Sequence, residues 1–172
     1  KYNLGYSYFQ QADYMNSAKW FRSYEKVASD SSRIHDTYLR IADSYFMMGD
    51  FALSAKYYNK AVAYNLFDID YALYQEAVSL GLIRKSNSKS ILLKRLILDF
   101  PNSSYYNSAL YALANYYRDV SNDDLALKYY NILINEGSDN DLVANAYISK
   151  GMMNFNASKF DSAIDNFLFV LN

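Results

Sequence analysis

Leu39-Arg-Ile-Ala-Asp-Ser-Tyr-Phe46, then Gly49-Asp50-Phe51, then Ser54-Ala-Lys-Tyr-Tyr58 is the stretch on which the fold turns. It has a counterpart upstream: Tyr2-Asn-Leu-Gly-Tyr-Ser-Tyr-Phe9, then Asp13-Tyr14, then Ser17-Ala-Lys-Trp-Phe21. The two superimpose with a constant offset, which makes the chain internally repetitive. Further copies follow. Ala112-Leu-Ala-Asn-Tyr-Tyr117 precedes Ala126-Leu-Lys-Tyr-Tyr130, and Gly151 precedes Lys159-Phe160 and Ser162-Ala-Ile-Asp-Asn-Phe167. The small residue in the seam of each first segment is Gly5, Ala42, Ala77, Ala114 and Gly151, with steps of 37, 35, 37 and 37 residues. Five units result, with boundaries expected near 1–34, 35–69, 70–104, 105–141 and 142–172.

Each unit reads as two amphipathic helices joined by a short turn. Tyr38, Ile41, Ala42 and Tyr45 fall at helical spacing, as do Ser54, Ala55, Tyr58, Ala61 and Val62. Gly49-Asp50 between them is a helix stop, since glycine takes the left-handed conformation without strain. Two antiparallel helices approach closely where one offers a small side chain and the other a large one. Ala42 and Ser54 are the small slots; Tyr45 and Tyr58 fill them. One such hairpin cannot bury its apolar face alone, so neighbours are expected to stack.

Composition agrees with long helices. Pro101 is the single proline and there are five glycines in 172 residues. Hydrophobic residues make up 52% of the chain, enough for a core. With 17 basic and 18 acidic residues the chain has no field suited to phosphate backbones or anionic lipid. It has no cysteine and one histidine, His35, so Cys-ligated metals, Cys nucleophiles and sites needing two imidazoles are excluded. The most apolar run, Ile91 to Phe100, is broken by Lys94 and Arg95 and falls short of a membrane span. No signal peptide opens the chain. Because the sequence starts and stops inside helical patterns, we expect it to be part of a longer protein.

The spacing and residue types resemble the tetratricopeptide repeat family, whose signature sets an aromatic, Leu-Gly, Tyr, Ala, Phe/Tyr and Pro in fixed order. Leu4-Gly5 with Tyr8, and Ala126 with Tyr130, stand at the family's positions, and the resemblance runs along essentially the whole chain. It implies an all-α, right-handed α-α superhelix in one continuous solenoid domain. The third unit departs most. Leu80 replaces the first-helix Tyr, Lys89 and Ser90 occupy the second-helix small slot, and Arg84-Lys85-Ser86-Asn87 forms a turn without glycine. Asn154 replaces the usual Tyr in the fifth unit, and Tyr24 stands near a common small site in the first. Leu98-Asp-Phe-Pro101-Asn-Ser-Ser104 followed by Ala109-Leu-Tyr-Ala112 resembles a subgroup in Gram-negative envelopes, the lipoprotein of the barrel-assembly machinery and the Tol-Pal coordinator. That implies a periplasmic or outer-membrane-face location.

In this family the first helices line a concave groove. The resemblance and helical phase then place Tyr2, Tyr6 and Phe9, Leu39, Asp43, Phe46 and Met47, and Tyr74, Val78 and Leu82 along it. Tyr111, Asn115 and Arg118 follow, then Ile148, Met152 and Phe155. Tyr and Met suit a peptide groove, and Asn115 suits a backbone amide. Tyr8, Tyr45, Tyr58, Tyr117 and Tyr130 read as core; Tyr74 and Tyr111 stay open between groove and buried packing. A carboxylate clamp of Lys, Arg and Asn is not matched, since only Asn115 fits.

Signals for chemistry are weak. His35 with Asp36, Ser31 and Ser32 reads as surface or capping rather than a catalytic set. Asp68 and Asp70, Asp123 and Asp124, and Asp139 and Asp141 read as helix caps rather than ion ligands. Arg84, Lys85, Lys89, Lys94 and Arg95 read as a solvated face. We therefore expect no catalytic, metal or cofactor site and no nucleic-acid partner. The expected function is a protein-protein scaffold holding a partner segment in its groove. The alternative is a rigid segment of a longer array, with self-association through terminal repeats such as the Leu168, Val170, Leu171 face.

Overall fold

The computed structural model describes residues 1–171. It holds ten helices and no strand among them. These are α1 (Tyr2–Gln10), α2 (Tyr14–Glu25), α3 (Ser31–Met47), α4 (Phe51–Tyr64), α5 (Ile69–Leu82), α6 (Ser86–Asp99), α7 (Tyr106–Asp119), α8 (Asp123–Glu136), α9 (Asn140–Asn156) and α10 (Phe160–Leu171). They pair as five helix-turn-helix repeats, as the periodicity requires. Two compact units are present, Lys1–Leu92 and Leu93 onward. In the first, α1 packs on α2, α2 on α3, α3 on α4 and α4 on α5, and α1 also meets α3. In the second, α7 packs on α8, α8 on α9 and α9 on α10, and α7 meets α9.

The seam within each pair is small against large. A Cβ added to Gly5 would stand 2.9 Å from the Phe21 ring, and one added to Gly151 would run into the Phe167 ring. Phe21 and Tyr130 are fully enclosed and Tyr58 nearly so. In the third repeat the small residue is again on the first helix but at another position: Gly81 supplies the space, and a Cβ there would stand 3.0 Å from Cδ of Lys89. The long residue that breaks the expected pattern thus lies on a glycine one turn beyond Ala77. Buried serines join neighbouring pairs in the first unit. Ser44 Oγ donates to Ser17 Oγ at 3.2 Å, and the Ser54 and Ser79 hydroxyls are 3.1 Å apart.

All five turns are one structure. Each leaves three residues between its helices. The second of the three has positive φ: Ala12, Gly49, Arg84, Ser121 and Ser158. Its N–H bonds the carbonyl three residues back, as Gly49 does to Phe46, and the next N–H bonds five back, as Asp50 does to Tyr45. This is the double bond pair of a helix C-terminus closed by a left-handed residue. Asp13, Asp50 and Asn122 then cap the following helix, accepting from the N–H of Asn16, Leu53 and Leu125. Asp30 and Asp139 do the same between pairs. The junction acids are not all caps. Asp123 and Asp124 lie in the first turn of α8 behind the Asn122 cap. Asp68 sits at the N-cap position of α5 in the left-handed region without a side-chain cap bond.

Left-handed backbone costs a residue with a Cβ about 1 kcal/mol. Arg84→Gly is accordingly expected to stabilise the chain by about 1 kcal/mol in urea unfolding, and Gly49→Ala to lose about the same. Phe21→Ala, which empties the Gly5 seam, is expected to cost about 3–5 kcal/mol by the same measurement.

Candidate interaction surface

In the first unit the first-helix strip is closed by a polar network. Asp36, on α3, accepts from Tyr2 OH at 2.6 Å and from Tyr6 OH at 2.9 Å. Arg40 lies one turn on. Its Nε is 3.3 Å from Asp36 Oδ1 and its Nη1 is 2.5 Å from Asp43 Oδ2. Asp43 also accepts from Tyr58 OH and Tyr71 OH, both at 2.7 Å. Three helices, α1, α4 and α5, thus send tyrosine hydroxyls to two carboxylates of α3. Helical spacing explains the geometry: 36, 40 and 43 share one face.

Burial sets the electrostatics. It pushes the Asp43 carboxyl above the usual carboxylate range, opposed by Arg40 and the two tyrosine hydroxyls. Burial and the Asp43 charge hold the Tyr58 hydroxyl far above its ordinary value, and Tyr71 rises for the same reasons. Tyr2 and Tyr6 are raised by burial and by Asp36. Burial alone would lower Arg40, but the charges of Asp43 and Asp36 outweigh it. The hydroxyls therefore stay donors at any physiological pH, as the carboxylates need.

The positions expected along the groove fall into distinct settings. Leu39 and Asp43 are buried, the latter in the network. Tyr6 is half-buried and bound to Asp36. Phe9, Phe46 and Phe155 each meet an aromatic at the start of the next helix edge-to-face: Tyr14, Phe51 and Phe160, with centroids 5.4 to 5.6 Å apart. They clamp the turn as well as facing outward. Met47 and Leu82 are exposed, and Tyr74 and Val78 half-buried.

In the second unit Tyr111 and Asn115 are half-buried and Arg118 is exposed. Asn115 Oδ1 accepts from Tyr130 OH at 2.6 Å, and Arg118 reaches Asp119 at 3.0 Å. Beside them on α9, Ile148, Met152 and Phe155 are 41%, 51% and 54% exposed. That face has no counterpart to the first unit's carboxylates.

His35 overturns its expectation. It lies inside α3, fully buried, and not at a surface junction. Its Nε2 donates to the Phe67 carbonyl at 2.8 Å, and its ring packs on Phe67 at 4.3 Å. Asp36 faces the tyrosines and Arg40. Tyr45, Tyr58, Tyr117 and Tyr130 are core, whereas Tyr8 is half-buried. Of the basic cluster, Lys94 lies over the Tyr117 ring at 5.2 Å and Arg95 is 3.3 Å from Asp99. Arg40, which holds the network together, was not singled out by sequence. Its spacing to Asp36 and Asp43 was the available signal.

Among the described residues no group of His, Cys, Asp and Glu is placed to hold a metal, and no helix is long and apolar enough to cross a membrane. A tetratricopeptide repeat family model matches residues 36–65, the second pair. No curated protein matches the chain. The structure is similar to a crystal structure of MamA, with a TM-score of 0.78 and 20% identity over 98% of this chain and 92% of that one. It is similar to putative kinesin light chain TPR-like repeats of Podosopora anserina, at TM-score 0.72 and 10% identity over 98% and 90%. BtubC (BKLC) from P. vanneervenii gives 0.72 and 17% over 97% and 75%. These likenesses show the fold: helical hairpins of the tetratricopeptide solenoid type.

Removing Arg40 leaves Asp43 charged, buried and short of its cation. Arg40→Met is expected to destabilise by about 3 kcal/mol. In Arg40→Met/Asp43→Asn the loss should be smaller than the sum of the two single losses, read from a urea double-mutant cycle.

Proposed function

We propose that the chain is a protein-protein interaction scaffold that performs no chemistry and that its second unit supplies the contact for a partner segment. The observation that carries this reading is the row Ile148, Met152 and Phe155 on α9. These are large apolar side chains at helical spacing, each 41% or more exposed. Tyr111, Asn115 and Arg118 on the adjoining α7 add an aromatic ring, an amide and a cation. A row of apolar anchors edged by polar groups fits an amphipathic helix or an extended segment. Flexible methionine adapts to the anchor's shape at little cost. In the first unit the equivalent positions spend their polar groups on each other, so contact there rests on Met47 and Leu82.

A second reading is favoured by α10. Phe160, Ile164, Leu168 and Leu171 share one face and are each 48% or more exposed. An apolar helix face of that kind supports a structural role, covered by a further repeat or another copy of the chain. The bacterial envelope setting rests on the Leu98–Ser104 phrase alone, and fractionation of the source cells tests it.

The experiment is affinity capture from extract of the source organism with wild type and with Ile148→Ser/Met152→Ser, both exposed sites, the variant being checked by circular dichroism to be folded. A discrete partner held by wild type and lost at least tenfold by the variant supports the scaffold reading. Equal capture by both, together with sedimentation that rises with concentration, favours the structural reading.

A further inference from the structure

One concavity of the first unit lies away from the first-helix strip. It is a cleft of about 610 Å³ between α2 and the α3–α4 turn. Lys19, Arg22 and Lys26 line one side, and Met15, Met48 and Tyr45 supply apolar surface. The single carboxylate on its wall, Asp50, is already engaged, accepting from the Leu53 N–H at 3.1 Å as the cap of α4. Arg22 Nη1 donates to Tyr45 OH at 3.1 Å, which holds the guanidinium at the cleft. None of the three cations forms an ion pair among the described residues, whereas Arg40, Lys60, Arg95 and Arg118 each do.

We infer that this cleft is a second binding site, separate from the first-helix surface, and that it takes an acidic peptide segment carrying an apolar side chain. Three observations select that ligand. The charge is unbalanced: three cations face one carboxylate, which leaves positive charge in excess on the cleft wall. The charge is also spread out. Lys19, Arg22 and Lys26 stand at i, i+3 and i+7 on one helical face, so the row runs about 10 Å along α2. A single phosphate or carboxylate cannot meet all three. An extended chain rises about 3.3 Å per residue and places carboxylates at intervals along that length. Finally, Met15 is 73% and Met48 38% exposed. Two adaptable thioether side chains at the cleft are surface for an apolar side chain, not for a bare polyanion. The attraction is electrostatic at an exposed surface, so it weakens as salt rises.

The test is a fluorescence-anisotropy titration of the 172-residue chain with an array of labelled dodecapeptides in which Glu alternates with Leu, Phe or Tyr. Matched peptides with Gln for Glu, matched peptides with Ser for the apolar residues, and inorganic polyphosphate serve as controls. Acidic apolar peptides should bind selectively. Lys19→Glu/Lys26→Glu should weaken them at least tenfold, and Met15→Ser/Met48→Ser severalfold. Should the charge reversals disturb the circular dichroism, Lys19→Gln/Lys26→Gln replaces them. Ile148→Ser/Met152→Ser should leave this binding unchanged, which separates it from the α9 surface. The inference is overturned if no acidic peptide binds, if the Gln peptides bind equally well, if polyphosphate binds as tightly and with the same loss in the lysine variant, or if the lysine variant binds as wild type.

Discussion

Everything in this chain depends on how closely the two helices of a pair approach. Where Gly5 faces Phe21 and Gly151 faces Phe167, there is no room for even a methyl group on the first helix. That closeness buries the aromatic ring and sets the distance between helix axes. It also makes each pair two-sided, with apolar surface left over for the next pair. The third repeat shows the constraint acting through a different residue. Lys89 is too long for the slot, and Gly81 gives way instead of Ala77. The requirement is conserved volume across the seam, not a given letter at a given position.

The two units put the same helical phase to different use. In the first, carboxylates on α3 draw tyrosine hydroxyls from α1, α4 and α5, and Arg40 joins the two clusters. Tyrosine does here what phenylalanine cannot: it fills volume and delivers a hydrogen bond to a buried charge. An unpaired carboxylate in that position would be costly, so the network is stable only while every member keeps its partner. In the second unit the corresponding face has no buried carboxylate among the described residues. Its tyrosine, Tyr130, bonds Asn115, and the neighbouring α9 surface stays apolar and open. Tyrosine hydroxyls thus answer carboxylates in the first unit, whereas in the second Tyr130 answers an amide.

The repeat was legible because small and large residues recur at a fixed step, and that step is imposed by the packing itself. Helix pairing and the core role of Tyr58 and Tyr130 followed directly. The surface was harder to read. Asp43 has the phase of a groove residue, but phase does not reveal that Tyr58 and Tyr71 converge on it from other helices. His35 sits beside Asp36 in sequence, yet one step along a helix is a rotation of about 100°, so the two face different neighbours. The cations of α2 are dispersed as 19, 22 and 26 and become a cluster only once helical. A linear scan finds the denser run at 84–95 first.

The turns carry a consequence for how such a chain can change over time. Four of the five place a residue other than glycine in the left-handed region, so the identity of that residue is negotiable at about 1 kcal/mol. Length is not negotiable. Each turn spans three residues, and one more would rotate the following helix by about 100° and turn its apolar stripe away from its partner. The links between pairs carry no such restriction: 26–30, 65–68, 100–105 and 137–139 differ in length. Lineages of this protein should therefore accumulate substitutions in the turns and insertions or deletions in the links. Descendants would come to share spacing within pairs long after they have ceased to share letters.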